Sequence, residues 1–108
     1  MNWPKRIRLG YRTVRVKRAR PHSIALNSNL GAQRNDSGEL LFAGGLDSQA
    51  EANIILHEMI HSSLKLAGHD GMEGEERIVG AIANGLCQSM QDNSKLWRKL
   101  AKALTLQP

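Results

Sequence analysis

Apolar and polar residues alternate strictly at two places near the start of the chain. Arg6-Ile7-Arg8-Leu9 and Val14-Arg15-Val16-Lys17 both carry the two-residue period of a half-buried strand. Gly10-Tyr11 between them permits a tight reversal, so residues from about 5 to 18 are read as a β-hairpin. Ile7, Leu9, Val14 and Val16 would face inward and a row of basic side chains outward. Pro21 breaks the second strand, and the stretch from Ser23 to Leu30 fits neither a helix nor a strand cleanly. Asn35-Asp36-Ser37-Gly38 is a turn signal. Leu40-Leu41-Phe42-Ala43 then reads as a short buried strand closed by Gly44-Gly45.

The period next becomes helical. From about 48 to 67, Ala52, Leu56, Met59, Ser63 and Leu66 form one small or apolar stripe, which Ile55 and Ile60 widen. Ser48 and Glu51 have the spacing of a capping box, and Gly68 is placed to stop the helix in a left-handed cap. A second helix is expected from about 75 to 91, with Val79, Ile82, Ala83, Leu86 and Met90 at helical spacing. Gly80 and Gly85 weaken it, so each is expected to allow close packing against the first helix. Cys87 reads as a small buried hydrophobe. A last helix, from about 94 to 105, sets Leu96, Trp97, Leu100 and Leu104 against Lys95, Arg98, Lys99 and Lys102. It is expected to pack on the core, with binding of a partner or of phosphates as the alternative. The sum is one α+β domain over residues 1–108, an N-terminal hairpin or small sheet packed on a central helix, with two helices following.

The central helix carries the chemistry. His57-Glu58-Met59-Ile60-His61 is the pattern H-E-x-x-H. Histidines four apart on a helix share a face and can reach one metal ion, with the intervening glutamate beside the ion's open position. This is the zinc-peptidase arrangement, two ligands and a general base on one helix. An ordinary buried helix with two hydrogen-bonded histidines would also account for the pattern, but the cap and the apolar stripe favour the metal.

Composition changes this picture little, and charge changes it at one place. A chain of 108 residues can hold one core without disulfide staples, and the single cysteine excludes an intramolecular disulfide. No signal peptide and no membrane-spanning stretch are read, so a cytoplasmic protein with no membrane partner is expected. The net charge of +5 is concentrated. Residues 1–20 hold eight Lys or Arg and no acid, whereas the remainder is net acidic. Arg6, Arg8, Arg15 and Lys17 could therefore touch nucleic-acid phosphates. A solvated sheet face is the plainer reading, because stacking aromatics are nearly absent.

Catalytic zinc usually takes a third protein ligand. A third histidine six residues after the second is missing, since that position is Ala67. His69, Asp70, Glu73, Glu75 and Glu76 are the candidates. The opening turn of the second helix folds back toward the histidines, although acids there also suit the helix dipole. Glu76 aligns with Val79, Gly80 and Ala83 and is preferred to Glu75, with His69 behind both.

With these residues in place, the chain resembles the small phage-encoded metallopeptidase-like proteins, grouped with ImmA/IrrE-type peptidases or called minimal gluzincins. The resemblance rests on the H-E-x-x-H segment, then Glu75-Glu76-Arg77-Ile78-Val79 and Ala83-Asn84-Gly85-Leu86. It implies a zincin-like fold holding one Zn2+ ion by His57, His61 and Glu76, with Glu58 as catalytic base. Many such relatives carry an acid one turn after the ligand glutamate, where this chain has Gly80. The implied function is a zinc metalloendopeptidase acting on a protein or peptide in the cytoplasm of a bacterial host. Asn53 and Asn84 are candidate supports for the histidines, and Tyr11, His22 and His69 candidate oxyanion partners. Two other readings remain: a nucleic-acid-binding accessory protein using the hairpin, and a partner-binding module in which any metal only ties two helices together. For Leu40–Ala43, alignment of a substrate backbone and a plain core role both stand.

Overall fold

The computed structural model describes the chain except for residues 22–25, 27–28, 35–36 and 107–108. His22, most of the ambiguous Ser23 to Leu30 stretch and the Asn35-Asp36 pair thus lie outside the described residues. The elements run β1 (Arg6–Leu9), β2 (Arg12–Ala19), β3 (Gly31–Arg34), β4 (Glu39–Ala43), α1 (Ser48–Leu66), α2 (Glu75–Asp92) and α3 (Ser94–Thr105). The four strands form one sheet in the order β1-β2-β4-β3, so the protein is α+β. β1 pairs antiparallel with β2, with Ile7 opposite Val14. β2 pairs parallel with β4, with Val16 beside Leu40. β3 pairs antiparallel with β4, with Gln33 opposite Leu40.

Strand alternation sorts the side chains onto two faces. On one, Leu9, Val14 and Leu40 are buried under α1, which brings Ile55, Met59 and Leu66 onto them. On the other, Leu41 and Ala43 are covered by the fully buried Leu26. Leu40 is completely enclosed, so its truncation to alanine falls in the range of about 2–5 kcal/mol typical of large-to-small core changes.

The sheet contains a strand that the sequence pattern does not show, and this decides between the two readings of Leu40–Ala43. Gly31–Arg34 forms a strand that polar composition concealed, because Gly-Ala-Gln-Arg has neither alternation nor β-branched residues. As a result, Leu40–Ala43 lies inside the sheet between β2 and β3. Its backbone is already paired on both sides and cannot align a substrate; it is a core strand.

The helix α1 starts one residue earlier in its capping than the sequence suggests. Asp47, not Ser48, is the N-cap, and its carboxylate accepts from the Ala50 N–H at 2.8 Å. Glu51 is thereby released for another task. It is only 3% exposed and accepts from Arg18 Nη2 at 3.1 Å and from Trp3 Nε1 at 3.1 Å. Those bonds hold its carboxyl below the usual range. Arg18 occupies the helix-facing side of β2 beside the Phe42 ring, so this cluster ties the first turn of α1 to the sheet. At the other end, Gly68 takes φ +79°, with the Gly68 N–H on Lys65 O and the His69 N–H on Leu64 O. That pair of bonds is a Schellman ending.

The buried face of α1 is rotated slightly from the stripe the sequence suggests: Glu51, Glu58, His61 and Ser62 are buried, whereas Ser63 is exposed. On α2, Val79 and Ala83 are buried but Ile82 and Met90 are exposed. Cys87 is only partly buried. The helix α3 does not pack on the core: it has no buried residue and rests against α2, through a bond from Trp97 Nε1 to Ser89 Oγ at 2.9 Å.

Candidate metal centre

α1 presents His57 and His61 from successive turns toward the opening turn of α2, which supplies Glu75 and Glu76. The two Nε2 atoms stand 3.2 Å apart. Glu76 reaches both, with Oε1 2.7 Å from His57 Nε2 and Oε2 2.7 Å from His61 Nε2. One ligand atom from each of the three residues can be chosen so that all lie within 4.8 Å of one another. Three donor atoms gathered this closely could hold a metal ion.

The tautomer of His61 also fits. Its Nδ1 lies 2.6 Å from Glu75 Oε2, so Nδ1–H donates to that carboxylate and Nε2 is turned toward His57 and Glu76. Glu75 is itself anchored, because Oε1 accepts from the Gly71 N–H at 2.6 Å where the loop takes φ +80°. Hydrogen bonds with His61 and Gly71 pull the Glu75 carboxyl below its ordinary range. Burial alone would lower the pKa of His61, but its bonds to Glu75 and Glu76 outweigh that and raise it. Without an ion this imidazole therefore tends to hold a proton in the place a cation would take.

Glu75 and Glu76 thus separate into two positions. Glu76 stands among the donor atoms, and Glu75 supports His61 from behind. Helical geometry sets these adjacent side chains about 100° apart, but which of them faces the metal-side nitrogens and which backs His61 depends on how α2 is placed against α1. Asn53 and Asn84 do not support the histidines; the Asn53 amide donates to Asn84 Oδ1 at 2.8 Å and lies 3.6 Å from Cys87 Sγ. His69 is exposed and Tyr11 sits at the exposed hairpin tip, and neither lines the cleft. Gly80 lies beside the His57 ring, where a Cβ would be 3.8 Å from Cε1. For Gly85 no neighbour explains the absence of a side chain.

Glu58 is 7% exposed and borders the same cleft. Burial raises its pKa to about 7, with His61 opposing the rise and the Glu76 charge adding to it. β3 passes directly over it. A Cβ on Gly31 would fall 2.7 Å from Ile54 Cγ2 and 2.8 Å from Glu58 Oε2, so only glycine leaves room for that carboxylate. The cleft has a volume of about 640 Å³ and is walled by Leu26, Leu30, Ala32 and Ile54 on its apolar side. Glu76 leaves it open to solvent, with its side chain 78% exposed.

The basic hairpin is a separate surface. Lys17 Nζ lies 2.8 Å from Glu39 Oε2 and Arg15 Nη2 lies 3.6 Å from the same oxygen. Arg8 turns back to the Tyr11 carbonyl at 3.4 Å, and Arg6 is exposed. Two of the four cations singled out from sequence thus share one carboxylate.

No helix among the described residues is long and apolar enough to cross a membrane. Compared with known protein families, with curated proteins and with solved structures, the chain shows no significant match to any.

Proposed function

We propose that this chain is a zinc-dependent peptidase of the gluzincin kind, with a zincin-like fold. The observation that carries the proposal is the convergence of His57 Nε2, His61 Nε2 and the Glu76 carboxylate beside the buried carboxyl of Glu58. His57, His61 and Glu76 would hold one ion. Zinc, when bound, would supply Lewis acidity toward a peptide carbonyl and toward the attacking water. Glu58 would take the proton from that water and pass it to the leaving amine. Glu75 would keep His61 in the ligating tautomer through the bond to Nδ1.

The substrate would be an extended segment of a protein or peptide. The free edge of β3 borders the cleft through Leu30, Gly31, Ala32 and Gln33, so a strand added there would lie across the donor atoms. The nucleic-acid reading is weaker because Glu39 offsets Arg15 and Lys17.

The test is metal content by elemental mass spectrometry on the wild type and on His61→Ala, Glu76→Ala and Glu58→Gln, together with hydrolysis of an unfolded protein. Near-stoichiometric zinc is expected in the wild type and in Glu58→Gln, but not in the other two. Hydrolysis is expected in the wild type alone. A folded wild type that neither carries nor takes up zinc would overturn the reading.

A further inference from the structure

The helix α3 buries nothing in its own fold. Leu96, Leu100 and Leu104 are 53%, 43% and 85% exposed, and Leu106 beyond them is exposed as well. Helices of about 12–15 residues or fewer are marginal in water unless an amphipathic face packs on something. α3 has 12 residues and touches the body along α2. Its sequence nevertheless separates cleanly. At 100° per residue, Leu96, Leu100, Ala103 and Leu104 share one sector, bordered by Trp97. Lys95, Arg98, Lys99 and Lys102 fill the opposite side, and no acid interrupts residues 93–106. None of these four cations forms an ion pair among the described residues.

We infer that α3 is an interfacial helix that lays its leucine face into an anionic lipid surface, with the four cations contacting headgroup phosphates. The charge selects the partner. A second copy of this chain would bring two helices of four cations each together, whereas an anionic surface is complementary to every one of them. Nor does the exposed sector look built for a particular protein. Protein interfaces centre on aromatic or arginine anchors, but here the aromatic residue, Trp97, is turned inward to Ser89 and the exposed apolar groups are leucines. A strongly two-sided helix of low overall hydrophobicity, lysine-rich on one side and leucine-rich on the other, has the composition of helices that lie in the plane of the membrane interface. Such a helix lies in the interface without spanning it, so the lack of a membrane-spanning helix among the described residues does not bear on it.

The test is co-sedimentation of the full chain with vesicles of phosphatidylcholine alone or of equal parts phosphatidylcholine and phosphatidylglycerol. Binding is expected to the mixed vesicles only, with weakening as salt is raised. Lys99→Gln with Lys102→Gln should weaken it roughly 25-fold, at about fivefold for each cation near an anionic surface. Leu100→Ser with Leu104→Ser should abolish it; both residues are exposed, and an unchanged thermal transition would show that the fold is kept. Failure of the wild type to sediment with the mixed vesicles would overturn the inference. So would undiminished binding by the leucine variant, which would place the attraction on the basic hairpin. A lipid-free dimer in light scattering that the leucine variant dissolves would also overturn it, assigning the face to a second copy.

Discussion

The carboxyl of Glu58 gives the most demanding prediction, because its chemistry can be read without any substrate. Its ordinary pKa of 4.5 is raised to about 7, mainly by burial. A tenfold change in proton affinity corresponds to about 1.4 kcal/mol, so the folded metal-free protein loses roughly 3 kcal/mol by holding this group ionised. The sign follows from the folded value lying above the unfolded one. Below pH 4.5 the group is protonated in both states and costs nothing. As pH rises toward 7 the unfolded chain ionises first, and stability falls until the folded carboxyl has ionised too. Glu58→Gln removes the effect. Urea unfolding in the presence of a chelator, at pH 4 and pH 8, should therefore show the variant gaining on the wild type by roughly 3 kcal/mol at the higher pH. His61 titrates in both proteins, so only the part of its shift that comes from Glu58 enters the difference. Parallel pH profiles for the two proteins would refute the buried, proton-holding state of Glu58.

Three further outcomes follow from individual contacts. Glu75→Ala should weaken zinc binding by about 10- to 100-fold while leaving the fold intact, measured by competition with a metal-sensitive dye; unchanged affinity would deny it the supporting role on His61. Gly31→Ala should destabilise the protein by about 1–3 kcal/mol in urea, since the added methyl meets Ile54 and Glu58, and should depress hydrolysis more than zinc content. Asp47→Ala should cost about 1 kcal/mol of stability and Ser48→Ala almost nothing, because the first residue holds the Ala50 N–H; equal losses would contradict the observed cap.

The parts of this molecule that sequence reveals are those fixed by short-range pattern. His57, Glu58 and His61 are legible because helical spacing alone puts them together, and the basic hairpin because its alternation is strict. Strand β3 is not legible: Gly31 is there to admit Glu58, a residue distant in sequence, and Gln33 and Arg34 carry no strand preference. The cap is misplaced by one residue because Asp47 and Ser48 are both good caps, and the alternative to a capping-box role for Glu51 is an ion pair with Arg18, which sequence cannot show. The docking of α3 is misjudged for a related reason. Periodicity identifies its apolar face but says nothing of whether this chain supplies something to cover it.

The antiparallel turn from α1 into α2 has a kinetic consequence. His61 and Glu76 are only 15 residues apart, and everything that would hold an ion comes from one helical hairpin. The sheet, by contrast, depends on parallel pairing of Arg15 with Glu39 across an intervening strand, a closure that is slower to find. On the proposed function, an ion arriving during folding would meet His57, His61 and Glu76 before the sheet has closed. The metal would then act on the order of events as well as on the final state: the helical hairpin would be clasped first, and the strands would assemble on it as a preformed template.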